Sequence, residues 1–571
     1  MSSTIAIGEQ DFSKIITYHS FYIDKTNFIK DWWENRDAVT LITRPRRFGK
    51  TLTMSMLEHF FSLKYAGRSD LFENLDIWQE NEYKKLQGSY PVIFLSFANV
   101  KSSDFGTVRK LICQQIVNLY EDYRFLLDDG FLKDESAAYF KRITINMDDS
   151  DLSLSLCQLS RYLYKYYNKK VIILLDEYDT PMQEAYTNGY WDKIVHLTQG
   201  LFHAAFKTNP YLERGLMTGI TRVSKESVFS DLNNLEVITT TSRKYASVFG
   251  FTETEVFQAL EEYGLLDKKD DVKCWYDGFR FGEFDNIYNP WSVIKFLSEK
   301  ELAPYWENTS SNKLIGRLIQ KSSPHMKQCI EDLVQHKSLC VVIDEQIVFD
   351  QLDDNENAVW SLLLASGYLK VTSWKMNHRG KKECVLDIVN FEVSIIFEDL
   401  FTEWFSVCSS SYNDFIKAMF MHDLKKMNIF INNVAASTIS YFDVGNRISA
   451  KSEPERFYHG LVLGLIVDLN DRYTITSNRE SGFGRYDVLL EPKNQTDDGI
   501  ILEFKVADPD TEKSMTDTVR AAIKQIIEKR YATVLESKCS KDKIRIYGFA
   551  FRGKNVFIDG GYLKDYELLG F

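Results

Sequence analysis

A strand that runs into a basic loop and out into a helix constrains this chain more than any other feature. Ala38–Thr43 is a short β-branched apolar run. Arg44, Pro45, Arg46, Arg47, Phe48, Gly49, Lys50 and Thr51 follow, and then Leu52–Leu57, whose apolar spacing is helical. A Gly-Lys-Thr at a helix N-terminus offers backbone N–H groups and the helix dipole to phosphate oxygens. The lysine reaches β- and γ-phosphates and the hydroxyl reaches Mg²⁺. In the pattern GxxxxGK(S/T) the first glycine is here Arg44, and Pro45 removes one amide, while Arg46 and Arg47 add positive charge. The loop from Arg46 through Phe48, Gly49 and Lys50 to Thr51 is thus the expected ATP-binding element.

A second run, Val171–Leu175, ends in Asp176 and Glu177. An apolar strand that closes on two carboxylates complements the loop: Asp176 is expected to hold Mg²⁺ with Thr51, and Glu177 to polarise the attacking water. A third run, Gly215–Thr221, is expected to lie between these two strands. Its polar end, Thr218, Thr221 and Arg222, then faces a γ-phosphate, although Arg222 equally fits a residue that caps the strand. With Pro91–Phe97 and Leu235–Thr241, the first ~245 residues alternate strands and helices, which predicts a parallel sheet covered by helices.

The chain has 571 residues, 44% hydrophobic and 26% charged, an ordinary globular composition for several domains. Helical patterning takes over from Phe251, opening with a capping box over Thr252–Glu255. It changes again near Lys451. The expected domains are therefore 1–248, an ATPase; 249–450, a mainly helical middle region with winged-helix character as one option; and 451–571, a second α/β domain. Asp350–Asn357 and the basic Met376–Lys382 read as surface loops.

Apolar runs are far too short to span a bilayer, and the first residues lack a cationic start and cleavage site, so the expected location is cytoplasmic. The eight cysteines form no CxxC pair, which argues against a disulfide framework or zinc site. The net charge of −12 excludes a protein that coats nucleic acid through a wholly basic surface. A local basic groove is still allowed.

Near the C-terminus, Gly499–Val506 contains Glu503 and Lys505, which strand alternation puts on one face. A metal-dependent nuclease uses such a pair, the carboxylate for Mg²⁺ and the ammonium for the metal-bound hydroxide and the phosphorane charge. The Glu-x-Lys spacing is common in itself, since Glu82–Lys84 repeats it. Asp487 opens the preceding apolar strand, and a turn over Pro492–Gly499 brings it beside Glu503. A helix expected over Asp517–Arg530 carries Gln525, and further upstream Glu455 precedes His459 by one helical turn. Glu455 fits a metal ligand and a helix cap equally well. Lys524, Lys529, Arg530, Lys541, Lys543 and Arg545 suit either a phosphate track or a solvated face.

Phe21–Thr26, Arg44–Thr51, Leu175–Asp179, Thr218–Ser227 and Leu232–Leu235 together resemble the bacterial predicted AAA-ATPase-like family, in which an RPRRFGKT loop is usual. The resemblance continues through Trp275–Gly282 and Tyr288–Ser292. The C-terminal run Phe457–Leu461, Ser477–Asp487, Glu503–Lys505 and Gln525–Ile526 is similar to the PD-(D/E)XK nuclease superfamily. That resemblance implies Asp487, Glu503 and Glu455 as metal ligands, Lys505 as the catalytic lysine and Gln525 as the helix glutamine. The QxxxY pattern of some relatives is missing, because Lys529 holds the tyrosine position and Tyr531 is expected off that face. The resulting expectation is an ATP-binding and hydrolysing protein whose C-terminal domain is a Mg²⁺-dependent phosphodiesterase acting on nucleic acid, DNA rather than RNA, with homo-oligomerisation left open. The alternative is a nucleotide-switched scaffold or DNA-binding protein without nuclease activity, serving mobile-element or phage conflict.

Overall fold

The computed structural model describes residues 3–222, 232–306, 312–321, 337–343, 355–397, 409–438, 472–477, 487–494, 497–507, 514–536, 538–552 and 555–568, with a few shorter stretches between. Glu455 and His459 lie outside the described residues, as do Val223–Glu226. Contacts divide the chain into two compact units, residues 1–315 with 338–396, and residues 316–337 with 397–571. This division is coarser than the three-part reading at 248 and 450: it groups residues 249–315 and 338–396 with the N-terminal residues, and the rest of the middle region with the C-terminal ones.

In the first unit, five strands, β1 (Val39–Thr43), β2 (Val92–Ser96), β3 (Val171–Asp176), β4 (Leu212–Gly219) and β5 (Leu235–Ile238), form a sheet in the order β2-β3-β4-β1-β5. Every pairing is parallel. The strand after the acidic pair therefore does lie between it and the loop strand. All residues of β1 and β3 are buried, as a parallel sheet covered on both faces requires. Helices Lys50–Phe61, Phe105–Asp122 and Asp149–Tyr167 supply crossovers, the last two opened by the side chains of Asp104 and Asp148 on third-residue amides.

The middle region is helical, with the capping box of Thr252 and Glu255 in place. It also holds strands that period-based reading passes over: β6 (Phe251–Thr252), β7 (Phe279–Phe281) and β8 (Phe284–Tyr288) in one small sheet, and β9 (Leu339–Val342), β10 (Leu369–Met376) and β11 (Lys382–Ile388) in another. The Met376–Lys382 segment is thus the tip of the β10–β11 hairpin.

The second unit is built on a mixed sheet. Here β12 (Tyr473–Ser477), β15 (Val488–Pro492), β16 (Gly499–Val506), β17 (Ile544–Arg552) and β18 (Asn555–Tyr562) are hydrogen-bonded in that order, with a short β13 (Glu480–Ser481) and β14 (Gly484–Arg485) pair aside. Only β16 and β17 run parallel. Ile500, Leu502 and Phe504 pack on one face with Phe415, Met419, Met427 and Ile431 of helices Ser409–Phe420 and Leu424–Thr438. Ile501 faces the other way, against Val519, Ile523 and Ile526 of helix Met515–Glu528. Alternation puts Glu503 and Lys505 on that same face. Among the described residues no helix is long and apolar enough to cross a membrane.

Candidate functional site

The loop after β1 reverses direction through two left-handed residues, Arg47 at φ 67° and Gly49 at φ 76°. The glycine takes this conformation without strain, whereas Arg47 pays a steric cost for it. Arg44 does not face the loop interior. It is fully buried, its guanidinium donates to the carbonyls of Thr43 (2.9 Å) and Thr239 (2.7 Å), and it stands 4.6 Å from the Phe281 ring centroid. Burial pulls its pKa down to about 9. The residue in place of the first glycine therefore ties β1 to the end of β5 and to β7. Phe48 is likewise a core residue, edge-on to Phe279 at 4.7 Å, so its side chain anchors the loop from below.

Lys50 is buried and its ammonium donates to the carbonyls of Arg44 (2.9 Å) and Pro45 (2.7 Å). Burial pulls its pKa down to about 8, against the opposing pull of Glu177, Asp176 and Asp179. Thr51 Oγ1 donates to Asp176 Oδ2 at 2.7 Å, and Thr218 Oγ1 donates to Asp176 Oδ1. A hydroxyl and a carboxylate in direct contact at a phosphate-binding loop are the donor set a hard, octahedral Mg²⁺ takes alongside phosphate oxygens. The Asp176 carboxyl is raised by burial, and a divalent cation would offset that cost. Glu177 follows at φ 50° and accepts from Thr180 Oγ1 at 3.1 Å.

A residue that sequence reading gave no role joins these parts. Asp179, buried, accepts at one oxygen from the amides of Ile220 and Thr221, the Thr221 hydroxyl (2.8 Å) and the Gln183 amide (2.9 Å). Gln183 in turn accepts from Arg46 at 3.4 Å. The chain Thr221–Asp179–Gln183–Arg46 thus links the end of β4 to the loop. Arg222 is not part of it: its side chain lines two separate hollows, one with Thr239 and Thr240 and one with Leu235, Glu236 and Val237.

A cavity of about 800 Å³ opens over the loop, lined by Arg46–Thr53 and Glu177 and by apolar residues from outside the sheet, among them Tyr22, Ile23, Trp291 and Ile294. Its size and mixed lining suit a nucleoside triphosphate. Arg47 lies 4.2 Å from the centroid of Trp291, and the Trp306 indole donates to the Arg46 carbonyl at 3.4 Å, so the middle region forms part of the wall. Because burial lowers the Lys50 pKa to about 8 and a bound triphosphate favours the ammonium, ATP binding is expected to take up protons on the alkaline side of neutrality, with less uptake at this group as pH falls. Calorimetric titration in buffers of different ionisation enthalpy measures this uptake. A value independent of pH between 7 and 9 contradicts the placement of Lys50 at the phosphates.

In the second unit, Asp487 sits one residue before β15, whose Val488 pairs with Leu502, so Asp487 stands opposite Glu503. Its Oδ2 accepts the Phe504 amide at 2.7 Å, which fixes the carboxylate between Glu503 and Lys505 along the strand. Glu503 is 2% exposed and accepts from the Gln525 amide. The same amide nitrogen lies 3.3 Å from the Tyr531 hydroxyl. Tyr531 is therefore not off the glutamine's face, as the helical spacing predicts. The helix ends at Glu528, Arg530 takes a left-handed conformation at φ 53°, and the chain folds back in a turn at Tyr531–Val534. Burial raises the Tyr531 pKa, and the charges of Glu503 and Asp487 add to that shift, which sets the phenol within electrostatic reach of both. Lys505 is half-buried on the same strand face. Among the described residues no group of three metal-ligating side chains comes together; Asp487 and Glu503 are two, and Glu455 lies outside the described residues.

Gly548 pairs with Glu503, and a Cβ there would lie 2.8 Å from the Val519 carbonyl and 3.1 Å from the Ala522 methyl. The helix carrying Gln525 can approach Glu503 only because this residue is glycine. Gly548→Val is expected to destabilise the chain by about 1–3 kcal/mol through overpacking, read as a lower melting transition; an unchanged transition contradicts the close approach. Arg545, one of the basic residues read as a phosphate track, is instead buried against Asp498 and the carbonyls of Met419 and Phe420.

The first unit carries a Gly-Lys-Thr loop with a Thr–Asp pair on a parallel sheet, and the second carries two carboxylates with a lysine and a glutamine on a mixed one. Residues 6–229 match the family model described as predicted AAA-ATPase, and residues 453–560 match that of the PD-(D/E)XK nuclease superfamily. The chain thus carries a region similar to the predicted AAA-ATPase family and, downstream of it, a region similar to the PD-(D/E)XK nuclease superfamily. It is 27% identical over 319 residues to an uncharacterised protein in the vnfD 5′ region of Azotobacter chroococcum mcd 1, an alignment that spans 55% of this chain and 56% of the relative, so about half of each. Among solved structures it aligns with the Aeropyrum pernix ORC2 protein in ADPNP–ADP complexes, at 10% identity over 66% of this chain and 92% of that one, with a TM-score of 0.22. That superposition is too loose to compare sites.

Proposed function

We propose that the protein binds and hydrolyses ATP at the Arg46–Thr51 loop and cleaves nucleic-acid phosphodiesters, DNA rather than RNA, with Mg²⁺ at Asp487 and Glu503. In the first reaction Lys50, Arg46 and the loop amides hold phosphate oxygens, Thr51 and Asp176 hold Mg²⁺, and Glu177 orients water. In the second, Mg²⁺ would supply Lewis acidity at the scissile phosphate. Asp487 and Glu503 hold it, Lys505 meets the negative charge that develops on the attacking and equatorial oxygens, and Gln525 keeps the Glu503 carboxylate aimed. The observation that carries the reading is the Asp487 carboxylate fastened to the Phe504 amide, between Glu503 and Lys505 on one strand. The test is incubation of the purified chain with single- and double-stranded DNA and RNA, with and without Mg²⁺ and ATP. Mg²⁺-dependent cutting of at least one substrate is expected; binding without cutting under every condition supports a nucleotide-switched scaffold instead.

A further inference from the structure

The β10–β11 hairpin stands apart in charge from a chain of net charge −12. From Leu369 to Ile388 it carries Lys370, Lys375, Arg379, Lys381 and Lys382 against the two acids Glu383 and Asp387, and the five residues around its turn, Asn377–Lys381, hold no acid. Lys370 is spent on the Val389 carbonyl at 2.9 Å. Glu383 pairs with Lys375 at 3.0 Å, an exposed pair that salt screens and that costs little to exchange. Arg379 and Lys381 are exposed at the turn.

The outer half of β10 is also exposed where a strand normally packs. Trp374 is 57% exposed and Met376 56%, two residues apart on one face, with the Lys382 ammonium 5.6 Å from the Trp374 ring centroid. An indole left in solvent beside several cations has a cost that burial would remove. Lysine and arginine repel a basic partner, and the ring gives an aromatic plane beside phosphate-seeking charges.

The tip is also preorganised. Asn377 Oδ1 accepts the amides of Arg379 (2.9 Å) and Lys381 (3.0 Å), the Asn377 amide closes on the Lys381 carbonyl at 2.9 Å, and Gly380 takes φ 69°. Below it the register shifts between Val371 and Ser373, and Arg280 holds the Thr372 carbonyl at that bulge at 2.9 Å. A rigid hairpin loses little entropy when it binds, so its few contacts count.

We propose that this hairpin grips a single strand of nucleic acid, with Arg379 and Lys381 on backbone phosphates and a base stacked on Trp374. The proposal rests on the reading that the chain acts on nucleic acid, and it adds a contact surface on the ATPase-like unit. A single strand is favoured because its bases expose faces to an indole, whereas those of a duplex are already stacked.

The test is fluorescence anisotropy of the full chain with a labelled oligothymidylate and with a duplex, in EDTA so that no Mg²⁺-dependent cutting intervenes. Arg379→Ala combined with Lys381→Ala should weaken oligothymidylate binding by about tenfold or more near 0.1 M salt and flatten the log–log salt dependence by between about one and two. Trp374→Ala should cost about tenfold with the salt slope unchanged, and Trp374→Phe should recover most of the loss. Unchanged affinity in both the cationic and the Trp374 variants overturns the proposal. So does wild-type binding of polyglutamate as tight as of oligothymidylate, or tighter binding of duplex with no effect of Trp374→Ala. A separate cutting assay on the wild type in Mg²⁺ keeps the two readings distinct: weakened binding in the variants with no cutting by the wild type upholds the hairpin and removes the nuclease, and normal binding with cutting does the reverse.

Discussion

Asp487→Ala and Lys505→Ala should each lower nucleic-acid cleavage by about a thousandfold, for different reasons. The Asp487 carboxylate faces Glu503 across two strands and is fixed on the Phe504 amide. Removing it takes away one of two oxygen donors, so metal affinity falls with activity. Lys505 donates nothing to a cation, and its loss should leave metal affinity intact or slightly improved, because a positive charge beside the carboxylate pair is gone. Metal titration alongside cleavage separates the two. Wild-type metal binding in Asp487→Ala, or wild-type cleavage in Lys505→Ala, removes the assignment. Both side chains are far in sequence from the Arg46–Thr51 loop, so phosphate release from ATP should persist.

The second large effect belongs to the loop. Lys50→Ala removes the buried ammonium that the triphosphate would draw from the carbonyls of Arg44 and Pro45, and ATP affinity should fall by about a hundredfold, the loss of a charge-assisted clamp in a low-dielectric site. Glu177→Gln keeps size and polarity, so binding should be retained while hydrolysis drops by about a hundredfold or more. Calorimetric titration and phosphate release on both variants distinguish a clamp from a water-orienting group. Wild-type hydrolysis in Glu177→Gln would mean that this carboxylate has another role.

What the sequence made legible is what local patterning encodes. The strand–loop–helix around Lys50, the acidic end of β3, the placement of β4 between them and the approach of Asp487 to Glu503 all follow from period, turn length and the rules of parallel sheets. Arg44 was readable only as a missing glycine; that its guanidinium reaches Thr239, far along the chain, is a tertiary fact. Tyr531 was hidden by one left-handed residue, Arg530, which no helical wheel anticipates. Of the two small sheets of the middle region, the first escaped because β6 and β7 have two and three residues, too few to show alternation. Arg545 looked like surface charge by composition and is an interior tie by packing.

The most direct measurement is a single assay in which inorganic phosphate and cut nucleic acid are followed together, in Mg²⁺ and ATP, for the wild type and for Lys505→Ala. The wild type should produce both. Lys505→Ala should release phosphate at the wild-type rate and leave the nucleic acid intact. Cutting by Lys505→Ala at the wild-type rate, or a wild type that releases phosphate and cuts nothing, would contradict it.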